Sequence, residues 1–238
     1  VNLFETRPGG WESKAPTELK DPALWAYREL AAELEIWLLA GSLVVKLDDD
    51  TRMANRSILI SPRGEIAAKY DKIHMFDVDL AGGESYRESM RFRPGERAVV
   101  ATTPWGTLGM TICYDMRFPY LYRTLAQAGA KILTVPSSFT QPTGQAHWHI
   151  LLRCRAIETG CFVIAPAQCG DHEDGRKTYG HSLIISPWGE ILAEADNEPD
   201  VIVADLDLSK VDEARSMVPA LTHDRAFAAP EALRLAGE

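Results

Sequence analysis

The stretch Ser57–Ala68 is SILISPRGEIAA, and a close copy, SLIISPWGEILA, occupies Ser182–Ala193. Each copy places a Pro-x-Gly turn between two runs rich in aliphatic residues, a pattern typical of a β-hairpin. Convergence on a favourable turn accounts for part of the likeness, and duplication of an α/β half accounts for more. Two such halves can bury their sheets against each other and carry helices on the outer faces.

The segments around the two hairpins alternate between helix and strand patterns. Asp21-Pro22, followed by apolar residues at three- and four-residue spacing, predicts a capped helix over 22–34. Further helices are predicted over 120–128 and 147–159, and strands over 36–45, 56–61, 66–70, 98–102, 108–113, 132–136 and 161–167. This alternation indicates an α/β fold.

Cys113 stands where an apolar strand pattern ends and a polar turn begins, in the sequence ICYDMRFP over Ile112–Pro119. In α/β proteins the carboxyl ends of strands form the rim at which side chains meet ligands. A cysteine in an apolar strand is commonly a small core residue. The charged residues Asp115 and Arg117 beside it favour a functional site instead.

The segment Ile112–Pro119 resembles the nucleophile motif of the nitrilase, or carbon-nitrogen hydrolase, superfamily. Lys72–Asp79 resembles the lysine motif of that family, and Tyr86–Ser89 resembles the segment that carries its second glutamate. Further similar segments follow in the order of the family at 144–148, 153–159 and 179–182. The stretch 165–170 beside 179–182 is similar to the Nit-type amidases, within them to the deaminated glutathione amidases and ω-amidases.

The resemblance implies a four-layer αββα sandwich, with residues 1–238 as a single carbon-nitrogen hydrolase domain. Family members open with a strand, a helix and a second strand that ends in a Pro-Glu step, whose glutamate is the general base. This chain begins at Val1, just after the expected position of that step, so we expect the missing elements and the base upstream. Glu5 is the nearest acid, but its surroundings do not match the motif and it is not assigned the role.

Hydrolysis of an amide needs a nucleophile, a proton acceptor and a cationic or donor group that faces the developing oxyanion. The resemblance assigns Cys113 as the nucleophile, which would form a thioester with loss of ammonia. Lys72 would stabilise the oxyanion with the backbone N–H of Tyr114, and Glu88 would orient the lysine, the thiol or the attacking water. Without the motifs, Lys72 would be a solvated loop cation and Glu88 a surface carboxylate.

Nit-type amidases act on small amides whose other end carries a carboxylate, a group that arginine binds well. Arg117, Arg153 and Arg155 are candidates for this contact, although each could equally pair with a nearby acid. The residues predicted to bind substrate are Tyr114, Arg117, Ser138, Phe139, Thr143 and Arg153. The family usually has glutamate where this chain has His149, and this departure weakens the transfer of the substrate class.

Two other functions stay open from the sequence. An N-carbamoyl amino acid amidohydrolase would release carbon dioxide with the ammonia. A non-catalytic binding or assembly module of the same fold is the alternative outside the enzymes, because the chain as given has no identifiable general base. Two roles for histidine are not indicated by the sequence around His74, His147 and His181. The local signatures of a histidine-assisted thiol are absent, and so is the short paired spacing of a metal site.

Composition restricts the partners of the 238-residue chain. Its net charge of -9 argues against nucleic acid, because phosphate recognition needs a cationic surface. Four cysteines without paired short spacings suggest a reduced compartment rather than a disulfide framework or a zinc site. With no apolar run long enough for a bilayer and no visible secretory leader, we expect a cytoplasmic enzyme that uses water and no metal or cofactor. The resemblance also implies a homodimer.

Overall fold

The N-terminal part of the described chain forms a three-stranded antiparallel sheet with a helix on one face. The computed structural model describes residues 15–80, 83, 85–172 and 175–230. Helix α1 (Pro22–Glu33) is capped by the Asp21 carboxylate, which accepts hydrogen bonds from the N–H groups of Ala23 and Leu24 at 2.8 and 3.1 Å. The sheet consists of β1 (Leu38–Lys46), β2 (Met53–Ile60) and β3 (Ile66–Asp71), in that spatial order.

A second sheet has six strands and follows later in the chain. Its members are β6 (Val99–Thr103), β7 (Gly106–Met110), β8 (Ala130–Thr134), β9 (Phe162–Ala165), β12 (Leu183–Ile185) and β13 (Ile191–Glu194). Their spatial order is β13-β12-β9-β8-β7-β6; the three central strands are parallel and the outer pairs are antiparallel. Two short hairpins join β4 (Asp77–Asp79) to β5 (Ser85–Arg87) and β10 (Cys169–Asp171) to β11 (Lys177–Tyr179).

Three further helices accompany the second sheet: α2 (Pro119–Gln127), α3 (Gln141–Thr159) and α4 (Ser209–Met217). Residues of α2 and α3 share a core cluster with strands β8, β9 and β12. No helix within the described ranges combines the length and apolar character that crossing a membrane requires.

Alternating side chains show how the layers stack. Ile58 and Ile60 pack with buried residues of α1, whereas Leu59, between them, packs with residues of the six-stranded sheet. In β8, Ile132 faces the three-stranded sheet and Leu133 faces α2 and α3. The two sheets therefore lie face to face with helices on both outer faces, which confirms the predicted αββα sandwich.

Both copies of the SxxISPxGE sequence form the predicted hairpins, β2–β3 and β12–β13. Three boundaries were wrong by three residues or more. Strand β2 begins at Met53 rather than Arg56. Helix α3 begins at Gln141 rather than His147, because Pro142 in its first turn favours helix initiation. Strand β7 ends at Met110 rather than Cys113. The two short hairpins and the mostly polar α4 were not predicted, and Glu5 lies outside the described residues.

Gly144 marks a close approach between α3 and β11. A Cβ atom at this position would lie 2.3 Å from Cγ of Tyr179 and 2.4 Å from its Cβ, so no side chain fits there without movement. The two motif segments that contain Gly144 and Tyr179 are distant in sequence and meet at this contact.

Gly144→Ala is expected to lower the free energy of unfolding by about 1–3 kcal/mol, because the added methyl group forces Tyr179 and α3 apart. Urea denaturation measures the change. Gln145→Ala, at the exposed neighbouring position, serves as the control and should leave the midpoint nearly unchanged. Equal midpoints for Gly144→Ala and the parent would show that this contact is not tight.

Candidate active site

Cys113 opens a single 3₁₀ turn, Cys113–Arg117, just after β7. Its backbone has a φ of +49°, in the left-handed region that residues other than glycine rarely adopt. The Cys113 N–H donates to the carbonyl oxygen of Pro136 at 3.0 Å, which ties the turn to the residues after β8. The side chain is half-buried. Backbone conformations of this kind persist where surrounding contacts enforce them, and they cluster at functional sites.

Those surrounding contacts converge on Asp115, which is fully buried. Its Oδ2 atom accepts hydrogen bonds from the Tyr70 hydroxyl at 2.7 Å and from the Ile112 N–H at 2.9 Å. Its Oδ1 atom accepts from the backbone N–H of His74 at 3.0 Å and lies 2.7 Å from Nδ1 of the same residue. A buried carboxylate is tolerated when its oxygens are bonded this fully. One side chain thus joins β3, the loop after it and the Cys113–Arg117 turn.

The His74 ring completes this junction. It stacks on Phe118 with a centroid distance of 3.6 Å and an interplanar angle of 9°, and its Nε2 atom lies 2.6 Å from the Tyr120 hydroxyl. With the proton on Nδ1 facing Asp115, Nε2 accepts a hydrogen bond from Tyr120. The loop that carries the predicted lysine is therefore fixed against the Cys113–Arg117 turn.

Lys72 directly follows β3 and is only 3% exposed. Its Nζ atom forms an ion pair with Oε2 of Glu88, and the same oxygen accepts a hydrogen bond from the Phe76 N–H at 2.6 Å. The other carboxylate oxygen, Oε1, accepts from Nδ2 of Asn55 at 3.3 Å. The structure therefore brings Lys72 and Glu88 into direct contact and holds the carboxylate from three directions.

The pKa of Lys72 is raised above its ordinary value. Burial acts against the ammonium ion, but attraction to Glu88, Cys113 and Asp115 outweighs it. Any stability that this charge contributes is complete below the ordinary lysine pKa of 10.5 and is lost as the pH rises through the raised value. Lys72 therefore supplies a positive charge to the site throughout the neutral range.

Cys113, Lys72 and Glu88 line one cavity of about 910 Å³. This volume is in the range of sites that bind small organic ligands. The lining also includes four residues that were predicted to contact substrate: Tyr114, Ser138, Phe139 and Thr143. The hydroxyl oxygen of Ser138 is buried and has no hydrogen-bond partner among the described residues, so it can bond to a ligand.

Two of the three candidate arginines are engaged elsewhere. The Arg153 guanidinium donates to the carbonyl oxygen of Gly189 at 2.8 Å and does not line the cavity, so Arg153 is withdrawn from the predicted pocket. Arg155 is buried, and its Nη1 atom pairs with Oε1 of Glu158 at 2.6 Å. This is the ion pair with a nearby acid that the sequence left open as the alternative to substrate binding. Helical spacing on α3 could not distinguish these outcomes, because they depend on which neighbouring elements cover the helix.

Arg117 differs from both. It is half-buried and forms no ion pair with a carboxylate in the described ranges, although its Nη2 atom lies 3.3 Å from Nδ1 of His147. Its guanidinium carbon lies 5.8 and 5.4 Å from the ring centroids of Tyr114 and Phe139, which line the cavity. Burial lowers the pKa of Arg117, against the attraction of Tyr114 and Cys113. Arg117 is not itself a lining residue, but it lies at the edge of the cavity.

His149 does not line the cavity either. Its Nε2 atom lies 2.8 Å from Oε1 of Glu194. The departure from the usual glutamate at this position therefore does not alter the cavity wall.

Sequence analysis missed Asn55 and Tyr70. Asn55 is a polar residue in a buried strand, 5% exposed, and such residues usually have a specific partner. That signal was present but pointed to no particular partner. Tyr70 gave no signal, because its contact with Asp115 joins segments 45 positions apart.

Comparisons with known proteins agree with this geometry. A family model described as carbon-nitrogen hydrolase matches residues 5–216. The chain belongs to the carbon-nitrogen hydrolase family. A deaminated glutathione amidase from Yersinia enterocolitica is 42% identical to this hydrolase over 200 residues, which cover 83% of the chain and 70% of the relative.

Two solved structures extend the comparison. The NitFhit protein of C. elegans has a TM-score of 0.81 and 41% identity, and the match covers 86% of this hydrolase but only half, 50%, of the NitFhit chain. A mutant of the amidase from Nesterenkonia sp. AN1 has a TM-score of 0.71 and 27% identity, with 87% of this chain and 76% of that chain covered. That structure shows covalent addition of the acetamide moiety of fluoroacetamide at the active-site cysteine. These findings confirm the family resemblance and support hydrolysis of amide C–N bonds.

Tyr70→Phe removes one of the donors to Asp115 and is expected to lower the free energy of unfolding by about 1–3 kcal/mol. Because Asp115 positions both sides of the site, the amidase activity of this hydrolase should fall as well. Tyr122→Phe is the matched control, since the Tyr122 hydroxyl is equally buried but bonds to Thr111 Oγ1 at 2.7 Å. Urea denaturation and ammonia release measure the two effects. Equal activities of the two variants would contradict the positioning role of Asp115.

Proposed function

We propose that this chain hydrolyses the amide C–N bond of a small carboxylate-bearing amide, either deaminated glutathione or the ω-amide of a 2-oxo acid. The observation that carries the proposal is the convergence of Cys113, Lys72 and Glu88 on one cavity. A thiol beside a buried ammonium ion suits nucleophilic attack on a carbonyl group and stabilisation of the resulting oxyanion. The name of the Yersinia enterocolitica relative supports the substrate class.

In the first step the Cys113 sulfur attacks the amide carbon, and the thiol proton passes to a carboxylate base of the kind that the family resemblance implies. The electron pair of the C=O bond moves to oxygen and forms an oxyanion. The Lys72 ammonium group and the Tyr114 N–H stabilise this charge. Tyr114 lies in the first part of a 3₁₀ turn, where N–H groups have no acceptor within the turn.

In the second step the C–N bond breaks, and the leaving nitrogen takes the proton from the base and departs as ammonia. The acyl group is now a thioester on Cys113. Water gives a proton to the same base and attacks the thioester, the C–S bond breaks, and the acid leaves while the sulfur regains a proton. Glu88 holds the Lys72 ammonium group in place during both attacks. No step requires a metal ion or an organic cofactor.

Of the three arginines predicted from the sequence, Arg117 is the best candidate for the substrate carboxylate. A half-buried guanidinium group without an anionic partner in the described chain gains most from a ligand that brings a negative charge. The neighbouring rings of Tyr114 and Phe139 line the cavity and would cover the carbon chain between the carboxylate and the amide. Ser138 and Thr143 would supply hydroxyl groups to the polar atoms of the substrate.

The proposed enzyme consists of one hydrolase domain, acts in the cytoplasm and pairs as a homodimer. The exposed apolar side chains Tyr120 on α2 and Ile150 and Ile157 on α3 support pairing through these helices. The net charge of -9 gives no support to a nucleic acid partner. Light scattering of the full-length protein tests the homodimer, and a monomeric mass would exclude it.

The direct test is ammonia release by the full-length protein from deaminated glutathione, α-ketoglutaramate, glutamine and N-carbamoyl amino acids. We expect ammonia without carbon dioxide from the first two. Cys113→Ala should abolish release, and Lys72→Met should lower kcat by about 10²- to 10³-fold, the typical cost of losing an oxyanion donor. Cys154→Ala and Lys131→Met are matched controls, because both residues lie outside the cavity lining.

The other outcomes identify the alternatives. Carbon dioxide released with ammonia from an N-carbamoyl amino acid would replace the proposal with a carbamoyl amidohydrolase. No release from any substrate, together with a Cys113 thiol that is inert to iodoacetamide, would indicate a binding module. Activity retained by Cys113→Ala would exclude the thioester.

Arg117→Gln is expected to lower kcat/KM for the carboxylate-bearing amide by about 10- to 100-fold, which corresponds to the loss of a charge-assisted hydrogen bond. A neutral amide of the same length should be hydrolysed by this variant and the parent at similar rates. Arg153→Gln is the control, since Arg153 bonds to Gly189 away from the cavity. A loss that is equal for charged and neutral amides would exclude Arg117 as the carboxylate contact.

A further inference from the structure

A second group of chemically reactive side chains lies outside the cavity lining. His149 is on α3, His181 lies between β11 and β12, and Glu194 ends β13. Nε2 of His149 lies 2.8 Å from Oε1 of Glu194, and Nδ1 of His181 lies 3.1 Å from the same oxygen. All three potential ligand atoms lie within 4.8 Å of one another. Three separate segments of the chain thus each bring one donor atom to this cluster.

The backbone at His181 is shaped for this arrangement. Its φ is +54°, which is rare for a residue other than glycine. Two hydrogen bonds fix the strained residue: its N–H donates to Asp196 O at 3.2 Å, and its carbonyl oxygen accepts from Nε1 of the buried Trp148 at 2.7 Å. Trp148 is next to His149 on α3, so the same contact sets the relative position of the two histidines.

The spacing of the donor atoms suits a tetrahedral metal ion. Bond lengths of about 2.0–2.1 Å to zinc place adjacent ligand atoms about 3.3 Å apart. The observed separations of 2.8 and 3.1 Å from the Glu194 oxygen are those of hydrogen bonds, and these two pairs reach the metal-bound spacing with shifts of a few tenths of an ångström. The two histidine nitrogens lie within 4.8 Å of each other, and rotation of the partly exposed rings brings them to the ion. The side chains of His149, His181 and Glu194 are 30%, 24% and 35% exposed, so an ion can enter and a water molecule can occupy a fourth position.

We propose that His149, His181 and Glu194 form a binding site for a divalent transition metal ion, with Zn²⁺ as the preferred ion and water as the fourth ligand. Two imidazoles and one carboxylate are donors that Zn²⁺ accepts readily, whereas Mg²⁺ and Ca²⁺ prefer sets made only of oxygen. The bound ion joins α3 to the β12–β13 hairpin and stabilises that part of the fold. This site is independent of the proposed amidase chemistry.

The site is tested by titrating the full-length protein, freed of metal with a chelator, with Zn²⁺ by calorimetry and with Co²⁺ by visible absorption. The titrations use the Cys113→Ala background, because the active-site thiol could bind either ion. We expect one ion per chain, a tetrahedral Co²⁺ spectrum without thiolate bands, and a rise in the melting temperature on binding.

Each of His149→Gln, His181→Asn and Glu194→Gln should weaken binding by about 100-fold or more, since the loss of second-shell partners alone costs 10- to 100-fold. Asparagine is chosen at His181 because it tolerates the left-handed backbone conformation. His223→Gln, at an exposed histidine outside the cluster, should bind like the parent. Circular dichroism of the metal-free variants establishes that each remains folded.

Three results would overturn the proposal. They are the absence of stoichiometric binding to the folded parent, equal affinity in the three ligand variants and His223→Gln, and thiolate bands in the Co²⁺ spectrum. Failure of the metal-site proposal would leave the proposed hydrolase function untouched, because none of its three ligands lines the cavity.

Discussion

The buried carboxylate of Asp115 is the constraint on which the arrangement of the active site depends. It accepts hydrogen bonds from the hydroxyl group of β3 residue Tyr70, from the loop residue His74 and from Ile112, which directly precedes the Cys113–Arg117 turn. Removing water from a carboxylate is costly, and only a full set of donors offsets the cost. The fold therefore reaches its low-energy state only when the three segments meet. The left-handed backbone of Cys113 is held by the same meeting of segments.

The charges around the cavity follow from that geometry. With His74 fixed beside Asp115, Lys72 two residues earlier is buried and finds Glu88 as its partner. Glu88 in turn is held by Asn55 from β2 and by the Phe76 N–H, so the ion pair is tied both to the three-stranded sheet and to the loop that follows β3. An ammonium ion held in this way costs little reorganisation when negative charge develops on a nearby carbonyl oxygen. The same reasoning explains why Arg117, half-buried beside aromatic rings, suits an anionic ligand.

Much of the fold could be predicted from local sequence, and much of the site could not. The repeated Pro-x-Gly hairpins and the capped helix after Asp21 are set by neighbouring residues, so the pattern predicted them correctly. The family motifs predicted which residues share the cavity, including Cys113, Lys72 and Glu88. Arg153 was misplaced because its partner, Gly189, comes from a hairpin whose position against α3 is a tertiary property. The Asp115 network and the His149, His181 and Glu194 cluster were missed for the same reason, since their members come from separate elements.

The rate of Cys113 alkylation by iodoacetamide, followed by mass spectrometry in the parent and in Asp115→Asn, tests the central claim most directly. The variant keeps the size of the side chain but replaces an acceptor oxygen with a donor, which disrupts contacts on both sides of the turn. We expect Asp115→Asn to retain a native circular dichroism spectrum. Its Cys113 thiol should be alkylated at least about 10-fold more slowly than that of the parent, because the thiol is displaced from its charged neighbours. A folded Asp115→Asn protein that alkylates at the parental rate would contradict this assignment of Asp115 as the anchor of the site.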